Sequence, residues 1–239
     1  AGTLLAFSAN FSGAWESLWD DTANFSKESL ELLHWSRSNV SWWLKNSVLR
    51  VYEPIAMALK AAAAHVLGDL NQQNLHSLAA ASHTLCVVAA FFGSVALLDF
   101  VSPLSSSAEA RPDSATLWTR ALCAVVSAGV FAVHPLCVQV VCWSSCLPYI
   151  WSATFCCFTT PLYFACLTQQ QSRCFVGGAV SVLAAVMLYV SAALCKAASL
   201  LLPLALWLAR LARSPVQSAA EKAATGLRAG RWALFCEVP

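Results

Sequence analysis

The strongest constraint on this chain is a series of long apolar stretches between residues 75 and 211. A helix needs about 20 mainly apolar residues to cross the hydrocarbon core of a bilayer. Only 11% of the residues are charged, against about 25% in soluble domains. The sequence therefore predicts an all-α protein, a polytopic transmembrane helical bundle with about five spans. The predicted spans are Leu75–Val101, Leu117–Val133, Leu147–Leu167, Phe175–Leu194 and Ala197–Leu211.

These stretches divide the chain into residues 1–73, 74–212 and 213–239. The apolar start, Ala1 to Ala9, is too short to cross a bilayer and is interpreted as the end of a truncated first span. A long loop follows, and its helix from Glu53 to Leu70 is predicted to lie along the membrane interface, because Lys60 and Asp69 oppose burial in lipid. The last part is predicted to be a truncated basic tail. An interfacial belt is predicted for Trp15, Trp19, Trp35, Trp42 and Trp43.

The distribution of basic residues predicts the orientation in the membrane. One side of this arrangement holds Arg111, Arg120, Arg173, Arg210, Arg213, Lys222, Arg228 and Arg231. The positive-inside rule makes that side cytoplasmic. The long first loop, the loop His134–Cys146 and the turn at Lys196 then share the luminal or outer face. Asn10, Asn24 and Asn39 each begin an Asn-x-Ser sequon in the first loop, which agrees with a luminal position because glycosylation acts there.

An acidic pair, Asp20 and Asp21, stands out in the first loop because Asp and Glu total only 12 residues. One interpretation is a helix N-cap followed by a solvated acid. The other is a carboxylate base with a neighbour that raises its pKa, which suits removal of a proton from a hydroxyl. The pair alone does not decide between these two interpretations.

Other residues that often form sites favour structural roles. Most of the 11 Cys residues lie in apolar stretches and are interpreted as small packing residues. Cys137, Cys142 and Cys146 lack a zinc spacing. His76 and His83 share one helical face, and packing against a neighbouring span is preferred to metal binding. No metal site is predicted from these residues, and the net charge of +2 with no basic stripe excludes a nucleic-acid partner.

Several ordered motifs resemble one family of membrane enzymes. The segment from Trp19 to Phe25, Trp-Asp-Asp-Thr-Ala-Asn-Phe, is similar to a Trp-Asp-Asp-x-x-Asn-hydrophobic motif in that family's first luminal loop. The segment from Val51 to Ile55 resembles its Tyr-(Arg/Glu)-Pro motif. His76 and His83 match a His-Leu-x-Asn-x-x-Leu-His pattern, Ala132-Val-His-Pro-Leu136 matches a His-Pro-Val-His-Thr-Glu element, and Ser191 to Lys196 resembles a Leu-Leu-Ser-Lys-Glu stretch. The family is that of the transmembrane and TPR repeat-containing protein O-mannosyltransferases, and the resemblance covers about residues 10–212 of this sequence.

This resemblance implies a GT-C-like, multi-pass enzyme of the endoplasmic reticulum membrane. It implies dolichyl phosphate mannose as the lipid-linked donor and Ser or Thr of luminal polypeptides as the acceptor. Asp20 and Asp21 are then the expected catalytic residues. Expected substrate-binding residues are His134, from its match to the family element, and Lys196 and Arg50, as cations for the donor phosphate. A divalent metal ion stays open as a cofactor.

Departures from the family pattern support a second hypothesis. Cys137 stands at the second His of the His-Pro element, Gln139 at its Glu, Ala197 at the acid after the Lys, and Ala79 at the Asn of the His pattern. The alternative is therefore a catalytically degenerate membrane scaffold or interaction protein of the same fold. A transporter ranks last, because the charges lie at span ends and not at the membrane midplane.

Overall fold

A computed structural model describes residues 21–68, 70–101, 114–171 and 175–211. The described residues are 87% helical and contain no strand. The main helices are α1 (Asp21–Asn24), α2 (Lys27–Glu31), α3 (Arg37–Lys45), α4 (Pro54–Leu67), α5 (Gln72–Val101), α6 (Ser114–Val133), α7 (Pro135–Cys142), α8 (Leu147–Gln171), α9 (Phe175–Cys195) and α10 (202–211). Two 3₁₀ turns, Ser144–Cys146 and Ala197–Leu201, precede α8 and α10. Asp20, the predicted first span and the predicted tail lie outside the described residues.

Three helical segments of the described chain are long and apolar enough to cross a membrane. They are Gln72–Val101, Ser114–Val133 and Ser144–Leu167. The first three predicted spans are therefore helices compatible with membrane spans, with bounds within a few residues of those predicted. The fourth predicted span corresponds to α9. The fifth is divided, since a 3₁₀ turn occupies Ala197–Leu201 before α10 begins. The described part of α10 has a length of about 15 Å, at about 1.5 Å per residue.

Helix α8 is the centre of the bundle, because it packs against both α5 and α9 while α5 also packs against α6. The approach of α5 to α8 depends on Gly93, where an added Cβ would lie 3.3 Å from the carbonyl oxygen of Cys157. Farther along the same pair, Phe100 and Phe164 stack with ring centroids 4.3 Å apart. Small residues and flat rings thus let these two helices run close together.

The segment His134–Cys146 is mainly helical, so its prediction as a loop is wrong. Its helix, α7, begins at Pro135, a residue that suits a first turn because its missing N–H would have no partner there. The Nδ1 atom of His134 caps the helix by accepting a hydrogen bond from the Leu136 N–H at 3.2 Å. The apolar run after His134 is therefore helical, and Pro135 is the first residue of α7 as well as the residue beyond the end of α6.

Helix α4 differs from the predicted interfacial helix in what it buries. Its side chains Ala56, Met57, Lys60 and Ala61 are all buried within the protein, and Lys60 is only 1% exposed. The helix ends at Leu67 and is followed by Gly68, whose φ of +79° is costly for residues with a Cβ. Lys60 avoids lipid as predicted, but it does so inside the protein and not in water.

Candidate functional site

One end of the bundle gathers nearly all the buried charge of the described chain. Helices α5 and α8 begin there, while α6 and α9 end there, because each long helix reverses the direction of the one before it. Asp21, Glu53, Lys60 and Lys196 meet at this end, brought together by α1, α4 and the junction after α9. We call this group the charge cluster. The opposite end holds the ion pair of Asp99 and Arg120.

Asp21 begins α1 and is only 3% exposed. Its Oδ1 atom accepts two hydrogen bonds from Ser145, one from the backbone N–H at 2.8 Å and one from the hydroxyl. Asn24, on the next turn, donates from Nδ2 to the same Ser145 hydroxyl oxygen at 3.0 Å. The structure thus holds a buried carboxylate against a hydroxyl donor, the geometry required of a general base. It describes only Asp21 of the predicted acidic pair.

Glu53 lies between two ammonium groups. Its Oε2 accepts a hydrogen bond from the Nζ of Lys196 at 3.2 Å, and its Oε1 is 3.8 Å from the Nζ of Lys60. Burial lowers the pKa of Lys60 below its ordinary value, and the charges of Glu53 and Asp21 oppose that shift. A buried ion cluster contributes little net stability compared with apolar side chains of the same volume. Its presence at the end of an apolar bundle therefore favours a functional role.

The two lysines of the cluster have different surroundings. The side chain of Lys60 is 2% exposed and its Nζ lies 5.6 Å from the ring centre of Phe25. The side chain of Lys196 is 16% exposed, and its Nζ lies 4.6 Å from the ring centre of Tyr149. Lys196 is thus the cation that an incoming anion can reach, whereas Lys60 is enclosed.

A cavity of about 330 Å³ adjoins Lys196. Tyr149 and Ser199 line it, and both contact Lys196, the first through its ring and the second through a hydroxyl that donates to the Lys196 carbonyl oxygen at 3.0 Å. The remaining wall comes from His83, Cys86, Phe131, Cys137, Val140, Ile150, Ser152, Ala153, Cys156 and Ala198. The cavity is therefore mainly apolar, and a cation lies against one of its wall residues, Tyr149. It suits an amphipathic molecule that carries a negative charge.

The other predicted binding residues lie at the same end but outside the cluster. His134 is exposed and caps α7. Arg50 is exposed in the tight turn closed by the bridge between Val48 and Val51, with a φ of +66°. The structure does not bring either side chain into the buried group with Asp21 and Lys196.

His76 and His83 are both buried along α5. His83 packs on the ring of Phe131 in α6, and its Nε2 lies 3.1 Å from the carbonyl oxygen of Ala132. This confirms the predicted packing of His83 against a neighbouring span. In the parts of the chain that are described, no three His, Cys, Asp or Glu side chains group as metal ligands.

Sequence reasoning missed the roles of Glu53, Lys60 and Ser145. Glu53 lies within the Val51–Ile55 motif, and Lys60 is an isolated charge in an apolar helix. Since a buried charge is costly without a partner of opposite charge, both positions indicated that an ion pair was needed. Ser145 carried none, because a serine in a polar break is common. Only the fold shows that this serine faces Asp21.

The chain matches no protein-family model, no curated protein and no solved structure.

Proposed function

We propose that this chain is a membrane glycosyltransferase that moves mannose from dolichyl phosphate mannose to Ser or Thr hydroxyls of luminal polypeptides. The observation that carries the proposal is the buried Asp21 carboxylate, which receives a hydrogen bond from a hydroxyl group. At the same end of the bundle, the Lys196 ammonium group lies over Tyr149, a wall residue of an apolar cavity. A base for a hydroxyl, an apolar site for a lipid and a cation for a phosphate are the three elements that this transfer requires.

The proposed site for the phosphate end of the donor is the cavity of about 330 Å³ beside Lys196. Isoprene units of the lipid contact its apolar wall, and the phosphate takes a hydrogen bond from the Lys196 ammonium group. When the Lys196 ammonium group turns to the phosphate, the Glu53 carboxylate still has a positive charge beside it, because the Lys60 Nζ lies 3.8 Å from its Oε1 atom. The cluster can therefore release one cation without leaving a buried carboxylate unpaired, which would be costly.

The reaction is a single displacement. Asp21 accepts the proton of the acceptor hydroxyl, the oxygen attacks the anomeric carbon of mannose, and the bond to the phosphate oxygen breaks with its electron pair. Lys196 stabilises the negative charge on the leaving dolichyl phosphate. One displacement at this carbon inverts its configuration. Arg50 and His134, both exposed at this end, are proposed as outer contacts to the substrates.

This function implies a GT-C-like, multi-pass protein of the endoplasmic reticulum membrane with the charge cluster on the luminal side. Three helices compatible with membrane spans support a membrane location. The ion pair of Arg120 with Asp99 lies at the end opposite the cluster, which agrees with a cytoplasmic position for that end.

The test is mannose transfer by the purified chain in detergent or nanodiscs, with radiolabelled dolichyl phosphate mannose and a Ser/Thr-rich peptide. Asp21→Asn should lower kcat by about 100-fold or more, the range for loss of a general base. Lys196→Met should raise KM for the donor. The matched control is Glu28→Gln, because Glu28 is an exposed carboxylate outside the cluster. Equal transfer by the wild type and Asp21→Asn would refute the assignment of Asp21.

A catalytically inactive scaffold of the same fold is the second candidate. The hydroxyl of Ser145 already occupies Oδ1 of Asp21, as it would in a purely structural tie between α1 and the turn before α8. A scaffold would give no transfer by the folded wild type under conditions in which an active O-mannosyltransferase preparation transfers mannose. Asp21→Asn would then change only stability.

A further inference from the structure

We infer that Ser145 is an acceptor supplied by the chain itself, so that the site glycosylates its own Ser145 hydroxyl. The inference rests on the proposed function and adds a modification site to it. Its basis is the position of one hydroxyl relative to a carboxylate and an amide, four residues before a wall residue of the cavity.

The hydrogen bonds of Ser145 are those of an activated nucleophile. Its hydroxyl proton is directed to Oδ1 of Asp21, and its oxygen accepts from Nδ2 of Asn24 at 3.0 Å. The Ser145 backbone N–H donates to the same Oδ1 at 2.8 Å, which fixes the carboxylate and the hydroxyl relative to each other. A serine is a weak nucleophile until an adjacent base takes its proton, and Asp21 is such a base.

Ser145 also belongs to the segment that leads to the place proposed for the donor. It lies in the 3₁₀ turn that leads into α8, one helical turn before Tyr149. Tyr149 lines the cavity, and its ring lies under the Lys196 ammonium group. The Ser145 side chain is partly exposed, whereas its neighbour Ser144 is fully buried and its hydroxyl has no hydrogen-bond partner among the described residues. Of these two adjacent serines, Ser145 contacts Asp21 and is partly exposed, whereas Ser144 is enclosed.

The step balances without a further reactant. A bond forms between Ser145 Oγ and the anomeric carbon, and the bond between that carbon and the phosphate oxygen of the polyisoprenyl donor breaks. The hydroxyl proton passes to Asp21, and the electron pair of the broken bond leaves on the phosphate. The products are an O-glycosylated Ser145 and the polyisoprenyl phosphate. A peptide acceptor would bring its own hydroxyl to the position that Ser145 holds, so the two acceptors compete.

The experiment incubates the purified full chain with dolichyl phosphate mannose and an acceptor peptide together. Transfer to the peptide is counted, and the segment holding Ser144 and Ser145 is analysed by mass spectrometry. We expect one hexose on Ser145 in the wild type and in Ser144→Ala. We expect none in Ser145→Ala or Asp21→Asn. Transfer to the peptide should rise at least several-fold in Ser145→Ala, because the competing hydroxyl is gone.

Each outcome separates this inference from the proposed function. Mannose on the peptide with an unmodified Ser145 in the wild type overturns the inference and leaves the function intact. Hexose on Ser145 without transfer to the peptide supports the inference and shows that the peptide is the wrong acceptor. Absence of both products overturns the function and the inference with it. The decisive readout uses the wild type, so it does not depend on the folding of Ser145→Ala, and Ser145→Thr, which retains a hydroxyl, serves as the second variant.

Discussion

The ammonium group of Lys196 lies 3.2 Å from Oε2 of Glu53, although 143 positions separate the two residues. Glu53 directly precedes α4, and Lys196 directly follows α9. This contact therefore joins the first loop to the junction between α9 and α10. Lys60 adds a second cation on the other oxygen of Glu53. The carboxylate therefore compensates one buried ammonium group, that of Lys60, and one partly exposed ammonium group, that of Lys196, and its removal should affect both.

Glu53→Gln should destabilise the folded protein by about 3–5 kcal/mol, the cost of leaving a buried charge without its partner. The shape of the side chain is kept, so the loss reports charge and not packing. Thermal unfolding of the detergent-solubilised protein, followed by size-exclusion chromatography, measures it. Glu28→Gln is the control and should shift the midpoint little, since Glu28 is exposed. Equal shifts in the two variants would mean that the cluster contributes no more than a surface charge.

Lys60 should make the free energy of unfolding change with pH in the alkaline range. Because burial lowers its pKa below 10.5 in the folded state, the unfolded chain binds more protons between the lowered pKa and 10.5. The contribution of Lys60 to the free energy of unfolding therefore rises with pH across that window. The measurement is the difference in unfolding free energy between wild type and Lys60→Met at a series of pH values. A difference that falls as pH increases would contradict a lowered pKa.

Hydrophobic length predicted the three long spans directly, since Leu75–Val101, Leu117–Val133 and Leu147–Leu167 all lie within observed helices. The ion pair of Glu53 with Lys196 could not be predicted from the sequence, because hydrophobic periodicity identifies helices but does not show which helices contact each other. Trp43 shows the same limit. It was predicted to lie in an interfacial belt, but it is 3% exposed and donates from Nε1 to the Leu32 carbonyl oxygen at 2.9 Å. An amphipathic ring suits both places, and only the fold of α2 and α3 around it decides.

Gly93→Leu should weaken the packing of α5 on α8 by about 1–3 kcal/mol, the usual cost of an overpacked contact. A Cβ at this position would meet the Cys157 backbone oxygen at 3.3 Å, and a backbone atom yields less readily than a side-chain tip. Gly129→Leu is the control, because no atom lies within 4 Å of a Cβ added there. Thermal midpoints in the same detergent compare the two. A loss at Gly129 as large as at Gly93 would show that glycine itself, and not the close approach, is responsible.

Asn39 should carry no N-linked glycan in the folded protein, although it begins a sequon. Its Nδ2 donates one hydrogen to the Glu31 carbonyl oxygen at 3.1 Å and the other to the His34 carbonyl oxygen at 3.0 Å. A glycan replaces one of these hydrogens, so one of the two bonds would be lost and the loop before α3 would have to open. That loss costs about 1 kcal/mol or more. Endoglycosidase treatment of protein expressed in eukaryotic cells should therefore give the same mobility shift for the wild type and Asn39→Gln. A smaller shift in Asn39→Gln would contradict the prediction, because it would show that the wild type carries a glycan on Asn39.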